Sequence, residues 1–210
     1  MKNSFLFMSI ILLVTVACGP TKKQNEEKKD SVTTLVDTTS IPVTANLKEV
    51  ITEFAQAYVS QDQQKINTHI NPELGLYIIY RPGAGDEYTH VDSINFKKPV
   101  PEHFPYGKIS TTDLISFAKL PEFDCGTDRW SKLGFFCDTT KTPNQLSTII
   151  NFKKEFEPIS SSEVSKIQTI EKDSYRVILT RGDNLIFHVK KYKDAWYVIT
   201  LDRAYGWCDA

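Results

Sequence analysis

Four side chains with acid–base chemistry fall in regular segments of the sequence: Tyr80, Asp86, His90 and His188. His188 alternates with apolar residues in a β-branched and aromatic run, which places it on the strand face opposite the apolar one. If that face is concave, His188 with any of the other three could form an acid–base pair in a pocket. A surface position on a strand is the simpler interpretation, and no catalytic motif is present. We therefore predict no catalytic residue.

The segment 121–142 is rich in acidic and thiol side chains: Asp124, Cys125, Asp128, Cys137 and Asp138. It contains no Cys-x-x-Cys pair, no histidine and no calcium-loop pattern of alternating acidic ligands around a central glycine. Carboxylates that cap turns explain this composition better than a metal centre. The sequence thus predicts neither a metal nor a cofactor.

The N-terminus carries the most specific signal in the chain. Lys2 precedes the apolar run Phe5–Ala17, which is too short to cross a hydrocarbon core of about 30 Å but is typical of a secretory signal. The run ends in Leu-Val-Thr-Val-Ala-Cys-Gly, which resembles the lipobox of bacterial lipoproteins, except that Thr15 stands where leucine is usual. The resemblance implies that Cys18 is diacylated and begins the mature chain. The alternative is an ordinary signal peptide cut after Ala17, with Cys18 left as a free thiol.

This leader sets the expected organisation and location. Residues 1–17 are the predicted signal peptide, 18–44 a lipid-attached flexible tether of mixed charge, and 45–210 a single α+β domain. The protein is expected in the cell envelope, with its lipid in a bacterial membrane, most simply the outer membrane. The folded domain would then lie in the periplasm or at the cell surface. The net charge of -1, with no basic stripe, predicts no nucleic-acid partner.

An exported chain meets oxidising conditions, so the remaining three cysteines predict one disulfide and one odd thiol. Cys125 and Cys208 both lie in turn-like contexts, and a tail so near the terminus frays unless it is tied down. This favours the pair Cys125–Cys208. The pair Cys125–Cys137 is the alternative, although Cys137 follows Phe135 and Phe136 and could be a buried, inert thiol.

The back half of the sequence predicts an antiparallel sheet. Three β-branched and aromatic runs, within 174–202, alternate with turn residues, and their period of two is typical of a sheet that is wet on one side. Tyr197, Ile199 and Leu201 are expected on one face. An amphipathic helix with apolar positions from Leu47 to Tyr58 is the natural cover for the apolar face.

The remaining segments complete the expected element order. A second helix is predicted over Gln61–Ile70, a hairpin over Leu74–Tyr80 and Asp86–Ile94, a helix over Thr111–Leu120, a loop over 121–142, a helix after Thr142-Pro143 and a strand over Val164–Ile170. Helices followed by a curved antiparallel sheet make an α+β fold. This order resembles the NTF2-like (cystatin-like cone) superfamily over residues 45–203. The resemblance implies a pocket between sheet and helices and transfers no functional residue.

These features favour a non-catalytic binding or interaction module whose small-molecule or protein ligand is unknown. The alternative is a pocket enzyme of the isomerase, dehydratase or hydrolase type, and a further one is a scaffold that docks through an exposed apolar patch. A closed apolar filling of the sheet concavity would favour the module, and an open cavity with converging His, Asp or Tyr the enzyme.

Two other patterns have ordinary explanations beside a functional one. The aromatic residues of the central loop and the C-terminal segment could line a ligand or glycan surface, or could be core: Trp130, Phe135, Phe136, Trp196, Tyr205 and Trp207. Arg181-Gly182-Asp183 spells an adhesion tripeptide, but it falls where a hairpin turn belongs. We expect no adhesion role for it.

Overall fold

A seven-stranded sheet organises the described part of the chain, which is residues 43–110 and 113–204 of this computed structural model. The predicted signal peptide, Cys18, residues 18–42 of the predicted tether, Cys208 and the last two aromatic residues lie outside those ranges, and the last two tether residues begin the first helix. All described residues belong to the unit Ser40–Ala210. Among them, no helix combines the length and apolarity that a bilayer crossing requires.

The helices are α1 (Val43–Val59), α2 (Gln63–Thr68), α3 (Gln145–Lys153) and α4 (Ser161–Glu171). The strands are β1 (Leu76–Tyr80), β2 (Glu87–Val91), β3 (Ile115–Phe117), β4 (Phe123–Asp124), β5 (Arg129–Trp130), β6 (Phe135–Asp138), β7 (Ser174–Leu179), β8 (Leu185–Tyr192) and β9 (Ala195–Asp202). The large sheet has the order β2-β1-β9-β8-β7-β6-β3, and β4 and β5 form a separate hairpin. The α+β class is confirmed. The sheet is mostly antiparallel, with β1–β9 and β3–β6 as parallel pairs.

Helix α1 covers one face of the sheet, as its apolar spacing predicts. Leu47, Ile51, Phe54 and Tyr58 recur every three or four residues and are all buried. The ring of Phe54 meets that of Phe187 on β8 at a centroid distance of 4.7 Å. The predicted second helix is also confirmed as α2.

The opposite face of the sheet is covered too, so the prediction of one wet face is wrong. Tyr77 and Ile79 of β1 form a second apolar cluster with Leu146 and Ile150 of α3 and Ile167 of α4. Alternation along β1 and β9 therefore divides residues between two buried layers, not between core and water.

The predicted strand over Val164–Ile170 is wrong, because these residues belong to helix α4. The Ser160 hydroxyl accepts from the amide of Glu163, the Ser-x-x-Glu arrangement that begins helices. Val164, Ile167 and Ile170 then recur every three residues, which is a helical spacing. Their β-branched side chains had favoured a strand in the sequence.

The predictions between residues 111 and 142 are also wrong in part. The expected helix over Thr111–Leu120 contains the edge strand β3, since β-branched and aromatic side chains at Ile115 and Phe117 favour a strand. The expected loop 121–142 contains the β4–β5 hairpin and β6. Strand β6 pairs with β7 from Phe135 to Asp138, so part of this segment belongs to the sheet.

A bulge on β9 changes which residues share a face. His188 pairs with Thr200, but Val189 pairs with Val198, which leaves Ile199 as the extra residue. Ile199 consequently packs in the α3–α4 layer while Leu201 packs in the α1 layer. The predicted common face for Tyr197, Ile199 and Leu201 is therefore wrong.

Candidate ligand-binding cleft

The two candidate histidines lie in one row across the sheet but are too far apart to act together. In the strand register, His90 on β2 pairs with Tyr77 on β1, Tyr77 pairs with Thr200 on β9, and Thr200 pairs with His188 on β8. Three strand spacings separate the two histidines by roughly 14 Å. An acid–base pair needs hydrogen-bond distance or one bridging water, so the row does not make one.

Tyr80 and Asp86 lie at the β1–β2 hairpin and make local contacts. Asp86 accepts a hydrogen bond from the Arg81 guanidinium at 2.6 Å. The Tyr80 hydroxyl lies 3.2 Å from that of Thr89 on the paired strand. These contacts hold the hairpin together, and neither residue is brought to His188.

His188 is buried, so the prediction of a surface position is wrong. Its side chain is 0 % exposed, and neither ring nitrogen has a hydrogen-bond partner in the described part of the chain. Burial, with the neighbouring Arg176 charge, holds the pKa of His188 well below its ordinary value. The imidazole is therefore neutral and closed off from any substrate.

A buried ion pair lies beside His188 on the same face. The Arg176 guanidinium contacts the Asp202 carboxylate at 2.6 Å, and both side chains are nearly inaccessible. Burial raises the pKa of Asp202, and the Arg176 charge opposes that rise. This pair satisfies two buried charges inside the sheet's α3–α4 side.

A cleft of about 730 Å³ lies where β8 and β9 meet the loop before β3. Its volume falls within the range of about 300–1,000 Å³ typical of small-molecule sites. Aromatic side chains form much of its walls: Tyr58, Phe104, Tyr106, Phe123 and Trp130. The apolar space between α1 and the sheet, by contrast, is filled by side chains.

Arg203 holds the loop that makes one wall of the cleft. Its guanidinium donates hydrogen bonds to the carbonyls of Val100, Phe104 and Pro105, the last two at 2.6 Å. It also lies over the rings of Phe104 and Tyr106, at 5.0 and 4.5 Å from their centroids. Arg203 therefore positions the wall, and both terminal nitrogens of its guanidinium donate to that wall.

The turn between β7 and β8 ties the other parts of the cleft together. The Lys108 amide donates to the Asp183 carboxylate at 2.7 Å, and the Asp183 amide donates to the Lys108 carbonyl. The Trp130 indole donates to the Asn184 side chain at 2.8 Å, which joins the β4–β5 hairpin to the turn. Arg181 pairs with Asp113. The adhesion tripeptide is thus occupied by structural contacts.

Two buried phenols lie beside this turn. Burial raises the pKa of Tyr58 to about 12, with the Arg203 charge opposing the rise. Burial likewise raises the pKa of Tyr106, which is only 7 % exposed. The Tyr106 hydroxyl is shielded from solvent, and the Val100 backbone beside it opposes the rise in its pKa. Both phenols therefore keep their protons at neutral pH.

The acidic residues of the predicted loop cap turns. Asp124 accepts from the amides of Gly126 and Thr127 at the β4–β5 turn, and Asp138 accepts from the amide and hydroxyl of Thr140. In residues 43–110 and 113–204, no three His, Cys, Asp or Glu side chains gather as metal ligands.

Cys137 on β6 is a free cysteine and is fully buried. The alternative pairing of Cys125 with Cys137 is therefore wrong, and the inert-thiol interpretation of Cys137 fits its burial, which raises its pKa to about 12. Cys125 lies at the turn between β4 and β5. Because Cys208 is outside the described ranges, the pairing Cys125–Cys208 stays a prediction.

The aromatic residues that the sequence singled out have different roles. Phe135 and Trp196 are buried core, whereas Trp130 lines the cleft. A separate exposed pair, Phe152 and Phe156, lies with ring centroids 5.0 Å apart beside a groove of about 500 Å³ next to the β1–β2 turn. Charged side chains line the same groove, and the scaffold interpretation stays a prediction: Asp86, Glu87, Lys153 and Glu157.

Sequence reasoning did not find Tyr106, Asp183 or Arg203 as cleft residues. Tyr58 was assigned to the core because of its helical spacing, and nothing in the sequence marks Arg203 beyond its position after a strand. The resulting site combines aromatic walls with a few polar groups and can bind a ligand of moderate size. No protein-family model, curated protein or solved structure matches this chain.

Proposed function

We propose that the folded part of this chain is a non-catalytic ligand-binding module whose site is the cleft at the ends of β8 and β9. The observation that carries the proposal is a cleft of about 730 Å³ whose described lining contains no histidine or cysteine. The phenols of Tyr58 and Tyr106 are protonated at neutral pH and are not bases. Binding needs no more than the shape of the cleft, its apolar walls and a few polar groups such as Asp183 and Asn184.

The location and anchoring belong to the same proposal. The apolar leader and Cys18 support a lipoprotein held in a bacterial membrane, with the tether 18–44 between lipid and domain. The packing of α1 on an antiparallel sheet supports an NTF2-like cone for the domain. The acyl chains on Cys18 then hold the protein in the membrane, and the cleft binds a ligand within the cell envelope.

The site is tested by an unbiased search for bound small molecules on the full-length chain in detergent. Native mass spectrometry compares the wild type with Lys108→Trp, which adds bulk at an exposed cleft residue whose side chain makes no hydrogen bond or ion pair to a described residue. Lys97→Trp, at another exposed lysine outside the cleft, is the matched control. We expect a retained compound with the wild type and Lys97→Trp and its loss from Lys108→Trp. A compound retained equally by all three would place binding elsewhere.

The anchor is tested separately. Intact-mass analysis and detergent phase partitioning compare the wild type with Cys18→Ala. We expect the mass of acyl chains and partition into the detergent phase only for the wild type, since each buried methylene contributes about 0.8 kcal/mol to membrane binding. A wild-type chain that carries no acyl group would support ordinary cleavage after Ala17.

An enzyme remains the second candidate because the cleft is open and contains Asp183 beside two phenols. In an isomerase or dehydratase, Asp183 would take a proton and a phenol would donate one. Asp183→Asn separates this candidate from the module. Turnover of the retained compound by the wild type, lost in Asp183→Asn, would favour the enzyme. An unchanged compound recovered after prolonged incubation favours the binding module.

A further inference from the structure

The large sheet ends at β3, and the outer edge of that strand is open. Within the described residues, β3 has β6 as its one neighbour in the sheet. The Ala118 amide donates to the Cys137 carbonyl at 3.0 Å, and in this parallel ladder the backbone groups of Ser116 face β6 as well. The N–H and C=O groups of Ile115 and Phe117 therefore face outward, where no backbone group of the described ranges pairs with them. Such groups are a template for pairing with another chain.

Apart from its short length, β3 has none of the usual protections of an edge strand. Proteins guard such edges with charged side chains, proline or a covering element. The other edge strand, β2, carries Glu87, whose carboxylate lies 3.0 Å from the Lys153 ammonium of α3. Strand β3 reads Ile-Ser-Phe, with no charge and no proline. Phe117 is 38 % exposed, and Leu114 just before the strand is 85 % exposed.

The sequence of β3 is complementary to itself in an antiparallel arrangement. A two-fold axis at Ser116 places Ile115 opposite Phe117 of a second copy, and the symmetry repeats that pair. These are the two residues whose backbone groups face outward, so each pair can exchange two hydrogen bonds. Their side chains then form two contacts between a β-branched and an aromatic residue, a favourable cross-strand combination. A second copy of this chain is therefore a fitting partner for the edge.

The charges that flank β3 favour the same register. Asp113 falls opposite Lys119 of the second copy, once at each end of the pairing, so unlike charges meet there. Both residues also have a partner on their own chain, since Arg181 contacts Asp113 and Glu122 lies 2.9 Å from Lys119. The facing charges therefore select the antiparallel register and add little affinity.

We propose that β3 is a dimerisation edge, through which two copies of this chain pair antiparallel and join their large sheets into one. Three residues from each chain make a small contact, so the dimer is weak and depends on concentration. The proposed lipid anchor would raise the effective concentration of two chains on one membrane. The dimer leaves the cleft and its proposed function as they are, and either can fail without the other.

Sedimentation equilibrium of the full-length chain tests the dimer, in a detergent at which micelles outnumber chains. We expect the wild type to dimerise as its concentration rises. Phe117→Lys places a charge in the paired edge and should weaken the dimer by about tenfold or more. Phe152→Lys makes the same change on α3, at a phenylalanine that is 49 % exposed, and should dimerise as the wild type does. A wild type that stays monomeric, or a dimer that Phe117→Lys does not weaken, would overturn the proposal.

Cysteine cross-linking tests the register. Ser116→Cys brings two thiols to the two-fold axis with Cα atoms about 4.5 Å apart, within the range of a disulfide. Mild oxidation should therefore give a covalent dimer that peptide mapping finds linked through this position. Leu114→Cys adds an exposed thiol that lies roughly 13 Å along the strand from its equivalent, and should not cross-link to itself. Equal cross-linking of the two variants, or a link from Ser116→Cys to a different protein with no covalent dimer, would exclude this pairing.

Discussion

The rings of Phe54 on α1 and Phe187 on β8 lie 4.7 Å apart with 44° between their planes, and both side chains are fully buried. This contact joins the first helix to the middle of a sheet more than a hundred residues later in the chain. It lies within the larger of the two apolar clusters. The contact therefore reports directly on whether the helix and sheet form one core.

Replacing Phe54 by alanine should lower the free energy of unfolding by about 3–5 kcal/mol, because a cavity replaces a fully buried ring. Phe156→Ala is the matched control, since that ring is 75 % exposed, and its effect should stay within about 0.5 kcal/mol. Urea unfolding followed by circular dichroism measures both. Equal effects of the two variants would contradict the assignment of Phe54 to the core.

Strict periodicity made much of this fold predictable. The helix α1, the β1–β2 hairpin and the last three strands repeat their apolar residues at intervals of three to four or of two, and each was predicted in type. Helix α4 was missed because Val164, Ile167 and Ile170 are β-branched, although Ser160 and Glu163 carry a helix-start signal. The bulge at Ile199 was missed because an extra residue leaves the alternation of residue types unchanged.

The cleft could not be predicted in the same way. Its walls come from α1, the loop before β3, the β4–β5 hairpin and the β7–β8 turn, which are far apart in the sequence and meet only through the fold. Contacts such as Trp130 to Asn184 and Lys108 to Asp183 join segments that carry no periodic pattern. The misprediction of His188 has a different cause. The sequence correctly placed His188 on the strand face opposite Phe187 and Val189, but it did not predict that helices cover that face.

His188 makes the stability of the protein depend on pH in a defined direction. Because burial lowers its pKa in the folded state, mainly the unfolded state takes up a proton as the pH falls below about 6.5. The free energy of unfolding therefore falls with acid on account of this residue. His188→Leu should raise the free energy of unfolding by about 1 kcal/mol at pH 7, since it removes buried ring nitrogens without partners.

The difference between His188→Leu and the wild type should grow below pH 6.5 by up to about 1.4 kcal/mol per pH unit. The comparison isolates His188 from Glu171 and Asp202, whose carboxyl pKa values are raised by burial and act in the opposite direction. His103→Leu makes the same substitution at an exposed histidine and is the matched control. Parallel profiles for the wild type and His188→Leu would contradict the buried neutral state.

Replacing one member of the Arg176–Asp202 pair should lower the free energy of unfolding much more than replacing both members. Arg176→Met leaves the Asp202 carboxylate buried without its partner, and we expect a loss of about 3–5 kcal/mol in unfolding free energy at pH 7. The loss should shrink as the pH falls, because a carboxyl with a raised folded pKa takes up a proton in the folded state first. The double variant Arg176→Met with Asp202→Leu should recover most of the stability. Additive losses in chemical unfolding would argue against coupling.

The burial of Cys137 and the predicted disulfide can be tested by thiol alkylation and peptide mapping. Burial, reinforced by Asp138, raises the pKa of Cys137 to about 12, so iodoacetamide at neutral pH should not modify it in the folded chain. Peptide mapping without reductant should recover Cys125 linked to Cys208, and reduction of that loop should lower stability by about 3–5 kcal/mol. Recovery of Cys137 in any disulfide-linked peptide would be the contrary result.

Gly182 lines the cleft in the β7–β8 turn, and its backbone conformation favours glycine. Its φ is +71°, and an added Cβ would lie 2.7 Å from the Lys108 carbonyl oxygen, which is backbone and cannot swing away. Gly182→Ala should therefore lower the free energy of unfolding by about 1–3 kcal/mol and push Lys108 away from Asp183, which weakens ligand binding as well. Gly83→Ala, where a Cβ meets nothing within 4 Å, should change neither quantity by more than experimental error. Thermal unfolding and ligand titration of both variants check this, and a Gly182→Ala chain that binds normally would show that the β7–β8 turn does not shape the site.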